Sequence, residues 1–219
     1  MVELVDSKLQ RLRSAGVIAI LRGTNPERLL ERGLELAEMG CTAIEVTLDS
    51  PNALEVVEHL HKRLSHSEIM IGVGTLLDSS QIQDCAAAGA EFVLSPTNPE
   101  HMIERCHAEG LLAIPGVANP HDLRRAIEDG AKVVKLFPAS NWELENLDLI
   151  ETPWIPVGGI DCQTAFKWLQ RGAFCIGMGA NLCGSDLNDP VGNSDIWMGI
   201  ERPIARDMFM ELQRCHTDT

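Results

Sequence analysis

The sequence predicts a (β/α)8 TIM barrel with an extra N-terminal helix, one domain spanning residues 1–219. Three observations carry this expectation. Eight short apolar runs rich in β-branched residues begin 20 to 27 residues apart. Pairs of a cap residue and proline, which open helices, stand at Asn25-Pro26, Ser50-Pro51, Asn98-Pro99 and Asn119-Pro120. Glycines suited to closing helices stand at Gly40, Gly89, Gly110, Gly130 and Gly172, the last four spaced 21, 20 and 42 residues apart, one period missed once.

The elements follow in order. Val5, Leu9 and Leu12 give an amphipathic helix able to cover the barrel bottom. The first strand is VIAIL from 17, followed by a helix whose Leu30, Leu34 and Ala37 fall at i, i+4 and i+7. TAIEVTL from 42, IMIGVG from 69 and EFVLS from 91 are the second to fourth strands. In the next helix Ile103, His107 and Leu111 drift off one face as it ends. LLAIP from 111, KVVKLF from 132, WIPVGG from 154 and FCIGMG from 174 complete the eight. The segment NLCGSDLNDPVGNS (181–194) reads as a loop, and Ile204 to Leu212 as a closing helix. A doubly wound open sheet is the competing architecture, but it normally needs fewer strands, and no GxGxxG follows the first strand.

Composition narrows the function. With 18 basic against 32 acidic residues the formal net charge is −14, and no Lys/Arg cluster tracks a phosphate backbone, so nucleic acid is a poor partner. A small anionic ligand would meet an opposing global field, and its site must supply local positive charge. Hydrophobic residues make up 45%, yet no apolar run approaches the ~18 residues of a membrane span. The charged N-terminal stretch MVELVDSKLQRLRS forms no signal-peptide core, which predicts a cytoplasmic protein that avoids membranes. Seven cysteines, at 41, 85, 106, 162, 175, 183 and 215, include no CxxC spacing, against a disulfide framework or zinc site.

In a barrel the chemistry gathers at the C-terminal strand ends. In the second strand Ile44, Val46 and Leu48 form a helix-facing side, which turns Ala43, Glu45 and Thr47 inward. An interior carboxylate is costly unless it is paired or used, so Glu45 is either a structural partner of an interior cation or a reacting group. In the sixth strand Lys135 shares its face with Val133 and Phe137, while Lys132 begins the strand on the other face and is expected in solvent. Apolar neighbours of Lys135 disfavour its ammonium form, as an amine nucleophile requires; an ion pair with Glu45 is the alternative, and the two are compatible. Arg22, Thr75 and Ser95-Pro96 follow strands one, three and four. Gly158-Gly159 and Gly177-Met178-Gly179 follow strands seven and eight, where glycine lets backbone N–H groups approach a phosphate; tight turns are the plainer reading.

The segments AILRG (19–23), IEVTLDSP (44–51), GVGTLLD (72–78), VLSP (93–96), IPGV (114–117), KLFPAS (135–140) and PVGGI (156–160) occur in this order. Over roughly residues 14 to 185 they resemble the family of 2-keto-3-deoxy-6-phosphogluconate, 2-keto-3-deoxy-6-phosphogalactonate and 4-hydroxy-2-oxoglutarate aldolases. The resemblance implies a homotrimeric class I aldolase that needs no metal or cofactor and acts on a small keto acid. It matches Lys135 to the Schiff-base lysine, Glu45 to the general acid/base and Thr75 to the threonine holding the pyruvate end, with Pro96 and Phe137 beside the substrate. Members acting on the gluconate substrate often carry an arginine where this chain has Asp49, so Arg22 is expected to take the substrate carboxylate, as in galactonate-type members. Val157 also resembles that branch. Gly158, Gly159 and Gly179 are expected to bind phosphate, but Ala180 stands where the family commonly has serine, and Asn141-Trp142-Glu143 where a glycine is usual.

The expected reaction is cleavage of a 2-keto-3-deoxy-6-phospho sugar acid to pyruvate and glyceraldehyde 3-phosphate. The alternative is a 4-hydroxy-2-oxoglutarate aldolase giving pyruvate and glyoxylate. Another phosphosugar barrel, an epimerase or decarboxylase-like synthase, would usually place Asp, His or a metal at strand ends, and none of the seven histidines lies at one. A barrel that binds a sugar acid without turnover is the remaining competitor, permitted by Asp49 and Ala180.

Overall fold

The computed structural model describes residues 2–143, 147, 150–188 and 202–214. Helix α1 (Val2–Ala15) precedes strand β1 (Val17–Leu21), and a parallel α/β alternation follows. It runs α2 (Pro26–Glu38), β2 (Ala43–Thr47), α3 (Ala53–Leu64), β3 (Met70–Gly74), α4 (Ile82–Ala87), β4 (Phe92–Leu94) and α5 (Met102–Ala108). Then come β5 (Leu112–Ile114), β6 (Gly116–Val117), α6 (Pro120–Glu128), β7 (Val134–Leu136), β8 (Trp154–Pro156), α7 (Cys162–Gln170), β9 (Ile176–Met178), α8 (Ala180–Cys183) and α9 (Arg202–Arg214).

All pairings are parallel. One sheet has the order β5-β4-β3-β2-β1-β9 and the other β6-β7-β8. The fifth strand read from the sequence ends at Pro115, and a further short strand, β6, follows it, separated because Pro115 has no N–H to continue the ladder. Before it, Leu112 to Ile114 pair with β4; after it, Gly116 and Val117 pair with Lys135 and Leu136 of β7. The Pro115 carbonyl accepts from Lys135 N–H at 2.8 Å. A parallel bridge between Val157 and Gly177 joins the end of β8 to β9.

Strand alternation divides the apolar residues into two clusters. The outer faces, with Val17, Ala19, Leu21, Ile44, Val46, Ile71 and Val73 among them, pack on the helices. The inner faces of strands from both sheets meet in a second cluster that includes Ile18, Ala43, Met70, Phe92, Leu112, Val133 and Ile155, joined by Val5 and Leu12 of α1. The N-terminal helix therefore covers the inner cluster with the residues its periodicity singles out. Two interior glycines of β3 make room on this face: a Cβ at Gly72 would meet the Phe92 ring at 2.2 Å, and one at Gly74 would meet Glu45 Oε1 at 1.6 Å.

All five expected closing glycines adopt positive φ, between 71° and 100°. Of the four expected caps, Asn25 and Asn119 accept from the first-turn N–H groups of α2 and α6. The other two expectations fail. Helix α3 starts at Ala53 and α5 at Met102. Ser50 is occupied elsewhere, accepting from Gly23 N–H and bonded to Thr47 Oγ1, and Asn98 Nδ2 donates to Asp129. The buried face of α2 is Leu29, Gly33 and Leu36, one position from the face read in the sequence; Leu30, Leu34 and Ala37 flank the core, partly buried. Residues 180–183 and 186–188 form helical turns where the sequence suggests a loop, and 189–194 lie outside the described residues. Helix α9 includes the expected closing helix.

Candidate active site

The C-terminal ends of the strands surround a cavity of about 980 Å³. Every residue singled out for a site role lines it: Arg22 after β1, Glu45 in β2, Thr75 after β3, Pro96 after β4, Lys135 and Phe137 from β7, Gly158 and Gly159 after β8, and Gly179 after β9.

Glu45 and Lys135 reach it from different sheets. Glu45 sits in the middle of β2, opposite Ile20 of β1 and Gly72 of β3, and its side chain lies over Gly74. It is 1% exposed, and Oε2 has no hydrogen-bond partner among the described residues. Burial raises its carboxyl pKa, against the opposing pull of Lys135 and Arg22. Lys135, 5% exposed, carries Nζ 4.7 Å from the centroid of the Phe137 ring. Burial lowers its ammonium pKa, the Glu45 charge opposes the shift, and Arg22 adds to it. The two groups thus act on each other through space, and the contact ion pair considered from sequence is not formed.

Lys132 departs from the expectation of a solvated side chain. It forms an ion pair with Asp6 of α1, because the start of β7 faces the end of the fold that α1 covers. Its separation from Lys135 across the strand is as the alternation requires.

At the rim, the guanidinium of Arg22 is held from two sides. Its Nε lies 3.4 Å from Asp49 Oδ2, and its Nη2 donates to Thr75 Oγ1 at 2.8 Å. Thr75 has φ 59°, a conformation unusual for a β-branched residue and worth roughly 1–3 kcal/mol of strain. That backbone turn is what carries its hydroxyl to Arg22. The Nη1 end of the guanidinium keeps two donors available for a planar anion.

The rest of the polar lining is neutral. Gly158 and Gly159 have φ 105° and 74°, and a Cβ at Gly159 or Gly179 would enter open space, so both backbones are accessible from the cavity side. Ala180 follows, then Asn181, whose Nδ2 donates to Ile160 O at 3.0 Å, tying the β8 loop to α8. Thr24, Ser185 and Asn188 also line the cavity, and Asn188 Oδ1 accepts from Thr24 N–H at 2.9 Å. Sequence reading passed over these four polar residues and Gly74. The signal for Gly74 was present, since glycines at alternate positions of a strand mark a close approach on one face. For Asn181, Ser185 and Asn188 the signal was only their place after the last strand. Among the described residues no cluster of three or more His, Cys, Asp or Glu is arranged to hold a metal, and no helix is long and apolar enough to cross a membrane.

Comparison with known proteins identifies the family. A family model for KDPG and KHG aldolase matches residues 7–195. The 2-dehydro-3-deoxy-6-phosphogalactonate aldolase of Escherichia coli (strain K12) is 26% identical over 172 residues, covering 76% of this chain and 83% of that protein. The probable 2-dehydro-3-deoxy-6-phosphogalactonate aldolase of Rhizobium meliloti (strain 1021) is 36% identical over 124 residues, covering 57% and 58% of the two chains. A solved native KDPGal structure superposes with a TM-score of 0.76 at 25% identity, over 93% of this chain and 96% of that one.

Proposed function

The chain belongs to the KDPG and KHG aldolase family and is a carbon–carbon lyase, and we propose that it cleaves a 2-keto-3-deoxy-6-phospho sugar acid, of gluconate or galactonate type, to pyruvate and glyceraldehyde 3-phosphate. The observation that carries the residue assignment is one buried amine and one buried carboxylate facing the same cavity without touching. Neutral Lys135 attacks the C2 carbonyl and, with loss of water, forms an iminium. Glu45, through a water, takes the proton of the C4 hydroxyl; the C3–C4 bond breaks, its electron pair runs into the iminium to give an enamine, and C4 leaves as the aldehyde. Glu45 then returns a proton to C3, and hydrolysis releases pyruvate. Arg22 and Thr75 hold the substrate carboxylate, Pro96 and Phe137 flank the reacting carbons, and the N–H groups of Gly158, Gly159 and Gly179 receive the phosphate.

We further read the whole chain as one barrel domain. The Val157–Gly177 bridge and the single proline between β5 and β6 support treating the two sheets as one eight-stranded barrel. A homotrimer rests on the family resemblance, and the mass of the assembly in solution checks it. Six described cysteines are free, which suits the cytoplasm.

The test is borohydride reduction with pyruvate followed by mass measurement and peptide mapping. Lys135 gains the reduced adduct; Lys135→Ala loses it and Lys132→Ala keeps it. An adduct mapped to another residue would overturn the assignment.

A further inference from the structure

Four ionisable side chains line the cavity among the described residues: Arg22, Glu45, Asp49 and Lys135. In the reaction proposed above, Lys135 becomes the imine nitrogen and the free end of Arg22 takes the carboxylate of the pyruvate half. What then faces the rest of the substrate is Asp49, beside Glu45, followed by the neutral Thr24, Asn181, Ser185 and Asn188.

Asp49 is anchored. Its Oδ2 lies 3.4 Å from Arg22 Nε, so the carboxylate sits at the rim with Oδ1 left to accept from a ligand hydroxyl. The same pairing compensates part of the guanidinium's charge, and the other basic side chain of the described lining, Lys135, is engaged at C2 as the imine nitrogen.

We propose that Asp49 determines the specificity of this site, favouring aldols whose C4 carbon continues into a hydroxylated chain and disfavouring those whose C4 carbon bears a second carboxylate. The inference rests on the aldolase reading and sharpens its substrate class. A carboxylate bonded directly to C4 would enter a region holding two fixed carboxylates and one guanidinium already shared between Asp49 and the first carboxylate of the substrate. A hydroxyl in its place donates to Asp49. A terminal phosphate is two carbons farther from C4, which carries its charge toward the glycine loops after β8 and β9. Those strands lie beyond β1 from the strand that leads into Asp49.

Asp49→Asn keeps the size and an acceptor for Arg22 while removing the charge. The quantity to measure is the kcat/KM for 4-hydroxy-2-oxoglutarate divided by that for an unphosphorylated 2-keto-3-deoxy sugar acid, two substrates that share the pyruvate half. Because Asp49 is half exposed and screened, the expected rise of this ratio in Asp49→Asn is about tenfold. Asp49→Glu, which retains the charge, should stay near the wild-type ratio. Added salt should raise the ratio more in the wild type than in Asp49→Asn, where only the global field and the other lining charges are left to screen, a difference that a purely structural role would not produce. Pyruvate trapping by borohydride is run alongside. An adduct at Lys135 with a ratio indifferent to Asp49→Asn overturns this inference alone, whereas a wild-type protein that forms no adduct overturns the aldolase reading and this inference together.

Discussion

Replacing Gly74 by alanine isolates the contribution of Glu45 without altering any ionisable group. The added Cβ would lie 1.6 Å from Glu45 Oε1 and 2.3 Å from its Cδ. Ordinary contact needs 3.4 Å or more, so the carboxylate must retreat roughly 2 Å within a site where it is 1% exposed. Overpacking of this kind costs about 1–3 kcal/mol of stability, which denaturant unfolding would measure. The effect on chemistry is larger, since a misplacement of about 1 Å already costs on the order of a hundredfold. Steps that move a proton through Glu45 should therefore slow at least about a hundredfold, while Lys135, on the other sheet, still forms the pyruvate adduct. The assay is exchange of the pyruvate methyl protons with deuterium, followed by NMR, beside borohydride trapping on the same preparation. Exchange within a few-fold of wild type in a folded Gly74→Ala protein would show that the seat of Glu45 over Gly74 is irrelevant to proton transfer.

Three further outcomes are expected. Arg22→Ala should weaken apparent pyruvate affinity about ten- to hundredfold, the value of a charge-assisted pair on the order of 1.5 to 3 kcal/mol; a defect confined to the aldehyde half would make Arg22 a phosphate ligand instead. Glu45→Gln should fold, should slow methyl-proton exchange, and should shift the pH midpoint of adduct formation downward. The sign follows from the Glu45 charge, which holds the Lys135 pKa up against burial, so its removal frees neutral amine at lower pH; an upward or absent shift contradicts the coupling. With Ala180 providing no hydroxyl, the kcat/KM preference for a 6-phospho substrate over its dephosphorylated form should stay below about a thousandfold, roughly 4 kcal/mol; a greater preference would reveal an anion site beyond the glycine loops.

The strand and helix alternation was legible because each strand is buried on both faces and so appears as an apolar, β-branched run, and because a helix stop with positive φ selects glycine. Prolines were read less well. Asn25 and Asn119 cap the helices that follow them, whereas Ser50 and Asn98 stand in the same local pattern but bond to groups distant in sequence. The fifth run, LLAIP, ends at Pro115, so the short strand beyond it was not legible, and which neighbour it pairs with depends on the sheet order. Within the site, alternation alone turned Glu45 and Lys135 inward. It could not show Glu45 resting on Gly74 or Asp49 holding Arg22, because the first depends on register between β2 and β3 and the second on two loops meeting.

On the proposed assignment, these later contacts bear on how an amine can stay reactive beside a carboxylate. A contact ion pair between Lys135 and Glu45 would favour the ammonium and so remove the nucleophile. The geometry prevents that from two directions. Gly74, lacking a Cβ, lets Glu45 lie against β3, and the Phe137 ring gives Nζ an alternative neighbour on its own strand. Burial then acts on both groups in the direction of neutrality, raising the carboxyl pKa and lowering that of the amine. A neutral amine can attack a carbonyl, and a carboxyl with a raised pKa can both accept and return a proton. The cost is a buried acid with an unpartnered oxygen and a threonine held at φ 59°. Both face the cavity, Glu45 from the middle of β2 and Thr75 just after β3, so part of the strain that the fold stores lies beside the proposed chemistry.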